Sequence, residues 1–561
     1  MKVIIQLVLL LLIFLSLIPI FKKAGEDYWK ALIPGYNLWV WLKIIHKPWW
    51  WIIILLFPGP NILLLMIMSA NTSTVMGRRS ATDMFLAGVF PFFYMPYLAL
   101  SSDIGYMGPI DRKAYPKNGL QEWRDAILFA VVAAMLIRTY TFEAFTIPTS
   151  SMEKSMLIGD YLFVDKVSYG TRIPETPLSF PLVHHSLPLT NNTVPSYLKW
   201  INFGYNRLPG FKTIKNNDIV VFNFPEGDTV DVKMQSNQSY NAILRERALN
   251  AMYRDFKAGR KVKPLHSYIP NERKKYLSEA DYTVRPVDKR ENYIKRCVGI
   301  PGDKVEIKNG DLYINDKLAD NPKNLQYNYF VETINPFPLT PENRRILKKK
   351  YNINYQDMIA LRGNNQVFRF PLTQEDYEKF KTDPMVKKII RSEDKPGELS
   401  PMQRLILPNR FSKEFTQYLK KNELHDPEYS IFPNVPGFGW TADNFGPVVI
   451  PKKGETMKLT IDNLPIYRRV IETYEGNGVK VKGGEILIND QPATEYTFAM
   501  DYYWLMGDNR HNSQDSRFWG FVPEDHVVGR AAFVWFSMDP ELEMSDGKIR
   551  WSRIFSGAHS N

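Results

Sequence analysis

Cysteine is nearly absent. The 561-residue chain has one, Cys297, which excludes an internal disulfide framework and any multi-cysteine metal site. Histidine is scarce as well. The eight His are scattered, with no HExxH or similar spacing, so neither a metal nor a cofactor is expected. His511 and His526 read as surface groups. No RNP-like, zinc-finger or helix-turn-helix pattern appears, so nucleic acid is not an expected partner despite a net charge of +12.

Aromatic and apolar residues are plentiful. The chain carries 13 Trp, 30 Tyr and 33 Phe, a share that fits a membrane interface. Residues 3–21, "VIIQLVLLLLIFLSLIPIF", hold no charge and reach the length of a spanning helix. No small-residue cleavage site precedes Lys22, so a retained anchor is expected rather than a removed leader. Further apolar runs are Trp49–Met68, Met84–Leu100 and Ala126–Tyr140. The second contains Pro58-Gly59-Pro60, so a kink or a re-entrant hairpin is expected there, and the third contains Pro91 and Pro96. Four spans place both ends of the chain on one side. Lys22, Lys23, Lys30, Lys43, Lys47, Arg112, Lys113, Lys117 and Arg124 fall on one side of this arrangement. Lys2, Arg78 and Arg79 fall on the other. The more basic side should be cytoplasmic, which puts everything after Tyr140 outside.

From Phe142 onward the pattern changes to short β-branched or aromatic runs bounded by turn residues: "YLFVDKVSYG", "DIVVFNF", "DKVEI", "DLYIND", "GPVVI" and "EILIND". The expected fold is therefore a set of N-terminal membrane helices plus a mainly β extracytoplasmic domain. Stretches such as "PENRRILKKKYN" within 340–425 read as an α-containing insertion. The expected domains are 1–120, a membrane module of about three spans; 121–141, an anchor; 142–323, the first part of the β domain; 324–440, the insertion; and 441–561, the second part. Inside the β domain, "YIKRCVGIPGDKVEIKNGDLYIND" (293–316) lies ungapped against "YRRVIETYEGNGVKVKGGEILIND" (467–490), with eight identities in 24 positions. Arg469 occupies the place of Lys295. Residues 440–500 are expected to pack as extra strands on the main sheet.

Two adjacent serines stand in "IPTSSMEKSM". A serine nucleophile needs a base. Ser151-Met-Glu-Lys154 reads S-x-x-K, as in penicillin-binding proteins, but the S-D-N and K-T-G elements of those folds are missing. The other candidate is Lys295, flanked by Tyr293, Ile294, Cys297 and Val298. Burial lowers a lysine's pKa far enough to leave it neutral. Arg469 cannot act this way, because a guanidinium stays protonated.

Three stretches now align with one family: "IPTSSM" with "LIGDYLFVDKVSYG", "YIKRCVGIPGD", and "GDNRHNSQDSRFWGFVP" (507–523). With "DIVVFNFP", the chain resembles the bacterial type I signal peptidases across roughly 142–320 and 441–540. The resemblance implies a serine endopeptidase of the inner membrane that removes signal peptides from exported preproteins, close to the export machinery. It implies Ser151 as nucleophile, neutral Lys295 as base, and Thr149 with the Ser151 backbone N–H as oxyanion hole. It further implies Ser513 as the group orienting the lysine and Asp515–Arg517 as a supporting ion pair. Ser150 and Asn217 stand where the family usually has Gly, and at Ser150 this raises the question of local backbone geometry. The competing expectations are a catalytically idle membrane-anchored scaffold and an S-x-x-K acyl enzyme. The insertion is expected to be dispensable for the dyad.

Overall fold

The computed structural model describes residues 2–235, 239–361, 365–395, 412–421, 431–435 and 437–558. The chain divides into two compact units, Met1–Thr141 with Arg172–Arg207, and Phe142–Thr171 with Leu208–Asn561. Residues 172–207 thus group with the N-terminal unit and not with the β domain in which the sequence placed them.

The N-terminal unit is helical. Its helices include Lys2–Lys23, Tyr36–Ile44, Pro60–Val75, Ala81–Val89, Pro91–Leu100 and Gly119–Tyr140. Leu17, Ile20, Phe21, Trp41, Leu64, Met68 and Met95 form its core. Two of the four expected spans are broken. The Trp49–Met68 run divides into the short helix Trp51–Leu55 and the start of Pro60–Val75, because Gly59 takes φ +96° and Pro60 opens a new helix. The Met84–Leu100 run bends by 118° between Ala81–Val89 and Pro91–Leu100. Among the described residues no single helix is long and apolar enough to cross a membrane, whereas that bent pair together is. Lys23 Nζ ties the first helix to the end of the bent pair by donating to the carbonyls of Leu98 (2.9 Å) and Ser101 (2.7 Å).

The second unit is mainly β. Its largest sheet runs in the order Phe142–Thr146, Asp160–Asp165, Val527–Ser537, Ile219–Asn223, Asn292–Gly299, Tyr502–Met506, Val522–Pro523. All these pairings are antiparallel. The strand Ile219–Asn223 is buried on both faces, as its unbroken apolar run requires. Ile219 and Val221 pack with Met152, Met156 and Leu162, while Val220 and Phe222 pack with Cys297, Leu505 and Trp519.

The two similar segments do not both join this sheet. Lys304–Lys308, Asp311–Ile314 and Lys317–Leu318 pair with Phe445–Val449 in a four-stranded sheet. Val479–Lys482, Glu485–Ile488 and Gln491–Pro492 form a separate three-stranded one. The expectation of extra strands on the main sheet is therefore corrected. Side-chain packing links these pieces instead, through a shared core that includes Val305, Leu312, Val479, Ile486, Trp504 and Phe521.

The inserted region also holds more than helix. Ile359–Ala360, Val367–Leu372, Tyr327–Thr333 and Val386–Arg391 make a four-stranded sheet in that order. The helices Pro341–Tyr351 and Gln374–Lys381 pack on it through Leu347, Tyr351 and Phe380, against Val331, Phe368 and Phe370. Two helices that the strand pattern did not suggest, Tyr240–Lys257 and Ile269–Glu279, lie between the third and fourth sheet strands along the chain.

Candidate active site

The paired serines sit in a one-turn 3-10 helix, Ser150–Met152, between the first two sheet strands. Met152 is fully buried in the core beneath and pins the turn from below. Thr149 precedes it in extended conformation, with φ −130°. Ser150 lies outside the left-handed region, so a side chain there carries no backbone penalty. Asn217 does take φ +74°, a conformation that Asn tolerates better than most residues.

Lys295 reaches this turn from the strand Asn292–Gly299, at 144 residues' separation. Its Nζ lies 2.8 Å from Ser151 Oγ and donates to the carbonyl of Ile294 at 2.9 Å. Lys295 is 3% exposed. Burial lowers its pKa to about 8, against the opposing pull of the Asp515 and Asp508 charges. Thr149 Oγ1 stands 3.5 Å from Ser151 Oγ.

Lys154, the other lysine considered, points elsewhere. Its Nζ donates to the carbonyl of Tyr351 (3.0 Å) and pairs with Asp376 (3.2 Å). The S-x-x-K spacing thus yields no contact between Lys154 and Ser151 in this arrangement.

The loop that starts at Gly507 closes the site. A Cβ on Gly507 would come within 2.5 Å of the Ser151 carbonyl oxygen and 2.2 Å of Ser513 Oγ, so only glycine fits. Asn509 holds the serine turn twice: its backbone N–H donates to Ser151 O (3.1 Å) and its Nδ2 to Ser150 O (3.2 Å). Asp515 and Arg517 form a fully buried bidentate pair, Nε to Oδ1 at 2.9 Å and Nη2 to Oδ2 at 2.8 Å. Burial alone would raise the Asp515 carboxyl; the Arg517 charge and hydrogen bonds outweigh it and hold the group below its ordinary range. Ser513 lies at the site but donates to Gln514 O at 3.4 Å, and no hydrogen bond joins it to Lys295 here.

Several residues went unnoticed in the sequence. Arg296, beside the lysine, grips Asp508 through Nε (2.8 Å) and Nη2 (2.6 Å) and donates from Nη1 to Asn217 O (2.9 Å). Both members belong to motifs already singled out, so their adjacency to "IK" and "GDN" was a usable signal. Asp357 had no such signal. It lies 207 positions from Ser150, whose Oγ donates to its Oδ1 at 3.0 Å. His511 and His526 are not surface groups. His511 accepts the Asn328 N–H at Nδ1 (3.0 Å), which leaves Nε2–H to donate to Asp443 at 2.8 Å. His526 is 1% exposed and lies against Asp525 and Arg290.

The sequence profile of the family described as "Signal peptidase, peptidase S26" matches residues 120–367 and 453–536, more than half of the chain. The chain belongs to the S26 signal peptidase family. Residues 29–109 match a second profile, a family of unknown function (DUF5684). A signal peptidase I of Haemophilus influenzae is 21% identical over 446 residues, 79% of this chain and 77% of that protein. One from Buchnera aphidicola subsp. Baizongia pistaciae is 21% identical over 429 residues, 76% and 79% of the two chains. That of Aquifex aeolicus is 61% identical over a short stretch of 36 residues, 6% of this chain and 14% of its own. The S26 family is one of serine endopeptidases, which suits a serine and a buried lysine in contact.

Proposed function

We propose that the protein is a membrane-bound serine endopeptidase that removes N-terminal signal peptides from exported preproteins, with Ser151 as nucleophile and neutral Lys295 as general base. The observation that carries this reading is the 2.8 Å approach of Lys295 Nζ to Ser151 Oγ by a lysine 3% exposed. In the neutral state the Lys295 lone pair accepts the Ser151 O–H while an amine hydrogen stays on Ile294 O. As Oγ attacks the scissile carbonyl, Nζ takes its proton. The resulting ammonium then gives that proton to the departing amine. A water molecule, deprotonated by the same amine, releases the acyl group in the second half.

Charge that develops on the carbonyl oxygen calls for fixed donors, and the Thr149 hydroxyl and Ser151 N–H are the groups assigned to it. Such a donor is worth about 3–4 kcal/mol in the transition state. The Asp515–Arg517 pair holds the loop that closes the site, and the Arg296–Asp508 pair ties that loop to the strand that carries Lys295. Both are fully partnered, so they place negative charge near Lys295 without leaving it a carboxylate of its own. Substrate would lie extended along the edge strand Phe142–Thr146, by main-chain pairing. The domain arrangement read from the sequence goes with this: helices in the inner membrane, and the sheet unit on the outer side where signal peptides emerge. Confining enzyme and substrate to one layer raises their effective concentration.

The test is preprotein cleavage by the full-length protein in proteoliposomes. Ser151→Ala and Lys295→Ala should each abolish it, and the double variant should be no worse than either, as for groups acting as one unit. Cleavage that survives in Ser151→Ala overturns the assignment.

A further inference from the structure

The turn that carries Ser151 is gripped from outside the motifs. Within 150–154, Ser150 and Lys154 are bonded to the inserted lobe, and Glu153 is buried beside it. Ser150 Oγ donates to Asp357 Oδ1 at 3.0 Å. Glu153 is 2% exposed, with Asn354 and Lys348 beside it, and burial raises its pKa to about 7. Lys154 takes φ +69°, a left-handed conformation unfavourable for a non-glycine residue, and is held there by Tyr351 O and Asp376. The lobe segment that supplies these partners runs from the helix Pro341–Tyr351 to the helix Gln374–Lys381, with the single turn Tyr355–Asp357 between them.

Asp357 has a second partner. Asn512 Nδ2 donates to the same Oδ1 at 3.2 Å. Asn512 belongs to the loop whose Asn509 already holds Ser150 and Ser151 by their carbonyls. One carboxylate oxygen therefore bridges the serine turn and the loop that closes the site. Asp357 is itself fixed from behind. Tyr355 N–H donates to Glu541 Oε1 at 2.9 Å, and Lys348 pairs with Asp539 and Glu541 at 3.1 Å each. Burial raises the Asp357 carboxyl, and the Ser150 hydrogen bond opposes that rise.

We infer that Asp357 is a positioning residue for Ser151: by accepting from Ser150 and Asn512 it fixes the nucleophile turn against the loop that flanks it. This rests on the dyad reading above. It reverses the expectation that the inserted region is dispensable, since the lobe supplies the outer wall of the turn. Asp357 touches neither substrate nor the reacting atoms, so its effect should fall on the chemical step and not on substrate affinity.

The test uses full-length protein in detergent, with Asp357→Ala, Asp357→Asn and Ser150→Ala. Asp357→Ala should lower kcat on the order of tenfold to a hundredfold, as for a small misplacement of reacting groups, with KM within about twofold. Asp357→Asn keeps an oxygen acceptor and should recover to within about threefold of wild type. Ser150→Ala should cost less than Asp357→Ala and add nothing in the double variant, because the two share one interaction. Amide hydrogen exchange is measured in parallel. It should speed up over 149–156 and 508–513 in Asp357→Ala and stay unchanged in Asp357→Asn. An Asp357→Ala enzyme with wild-type kcat overturns the inference, and so does an Asp357→Asn enzyme as impaired as the alanine variant. If wild type cleaves no preprotein, the dyad reading fails separately, and exchange at the turn alone decides the positioning claim.

Discussion

The segments 293–316 and 467–490 share a hairpin and part company before it. In the first, the hairpin pairs Val305 with Ile314 and Ile307 with Leu312; in the second, Val479 with Ile488 and Val481 with Ile486. Lys304 N–H donates to Asn315 Oδ1 at 2.9 Å, and Gly478 N–H to Asn489 Oδ1 at 2.8 Å. Ala319 N–H reaches Leu312 O, and Ala493 N–H reaches Ile486 O. The turn residues Asn315 and Asp316 take φ +52° and +65°, Asn489 and Asp490 +52° and +64°. Each of these pairs falls at the same offset as the sequence match, so the hairpins repeat bond by bond.

The residues before them diverge. Asn292–Gly299 is a strand between two others in the main sheet, whereas Leu464–Arg469 is helical and continues into a π-turn, Val470–Tyr474. Pro465 suits the first turn of a helix, and Arg468 pairs with Glu472 four residues on. The first copy has Ile294, Cys297 and Val298, which suit a buried strand. The difference in backbone decides the fate of the cation. Lys295 is sealed within the sheet unit with Ser151 as neighbour. Arg469 donates to the Trp519 carbonyl at 2.6 Å and lies near Asn434. One copy places a buried amine against Ser151, the proposed nucleophile, and the other uses a permanent charge as a strut.

Making the first copy resemble the second should have the largest effect. Lys295→Arg leaves a cation that cannot take a proton and should lower cleavage by about 10²–10⁴-fold or more, the typical contribution of a general base. A Lys295→Arg enzyme of near-wild-type rate removes the base assignment. Arg469→Ala tests the strut. Losing a charged hydrogen bond to a backbone carbonyl costs about 1.5–3 kcal/mol, seen as a lower denaturant midpoint, with kcat of the folded fraction unchanged. Selective loss of the chemical step with intact folding breaks the contrast between the copies. The smallest effects belong to the shared turns. Asn315→Ala and Asn489→Ala each place a side chain without a local acceptor in the left-handed region and should each cost about 1–2 kcal/mol of stability. Markedly unequal losses on thermal or chemical unfolding mean that the hairpins are not equivalent in context.

Much of the candidate site was legible because it lies in compact motifs. Ser151, Lys295, Asp515 and Arg517 stand in short segments whose residue types announce their chemistry, and the structure brings them together. The hairpin turns could also be read, since "GD", "ND" and flanking alternation are local signals. What escaped the sequence is set by distant packing. Ser150 and Asp357 meet across 207 positions with no local pattern in either. The Met84–Leu100 run has the apolarity of a span, yet the chain turns through 118° at Phe90-Pro91. The segment 467–474 carries one more charge than its strand-forming counterpart 293–300 and fewer apolar residues, and its helix follows from Pro465 just upstream and from the packing of Tyr467, Val470 and Ile471 in a shared core. Ser513 was placed at the site, but the bond to Lys295 that the resemblance implied is not formed.

The central claim is that burial makes Lys295 a base at working pH, and the pH dependence of the acylation rate tests it most directly. In the folded protein the Lys295 pKa lies at about 8 against an ordinary 10.5, so the neutral amine prevails above about 8 and is lost as pH falls through it. The same shift makes stability rise with pH between these values, because only the unfolded chain binds the proton there. Single-turnover cleavage of a preprotein by the full-length protein in proteoliposomes, from pH 6 to pH 10, should show an acid limb with an apparent pKa of about 8. The Lys295→Ala variant should show no rate above background at any pH. A rate that stays flat down to the acid end of the range, or cleavage retained in Lys295→Ala, would contradict the account.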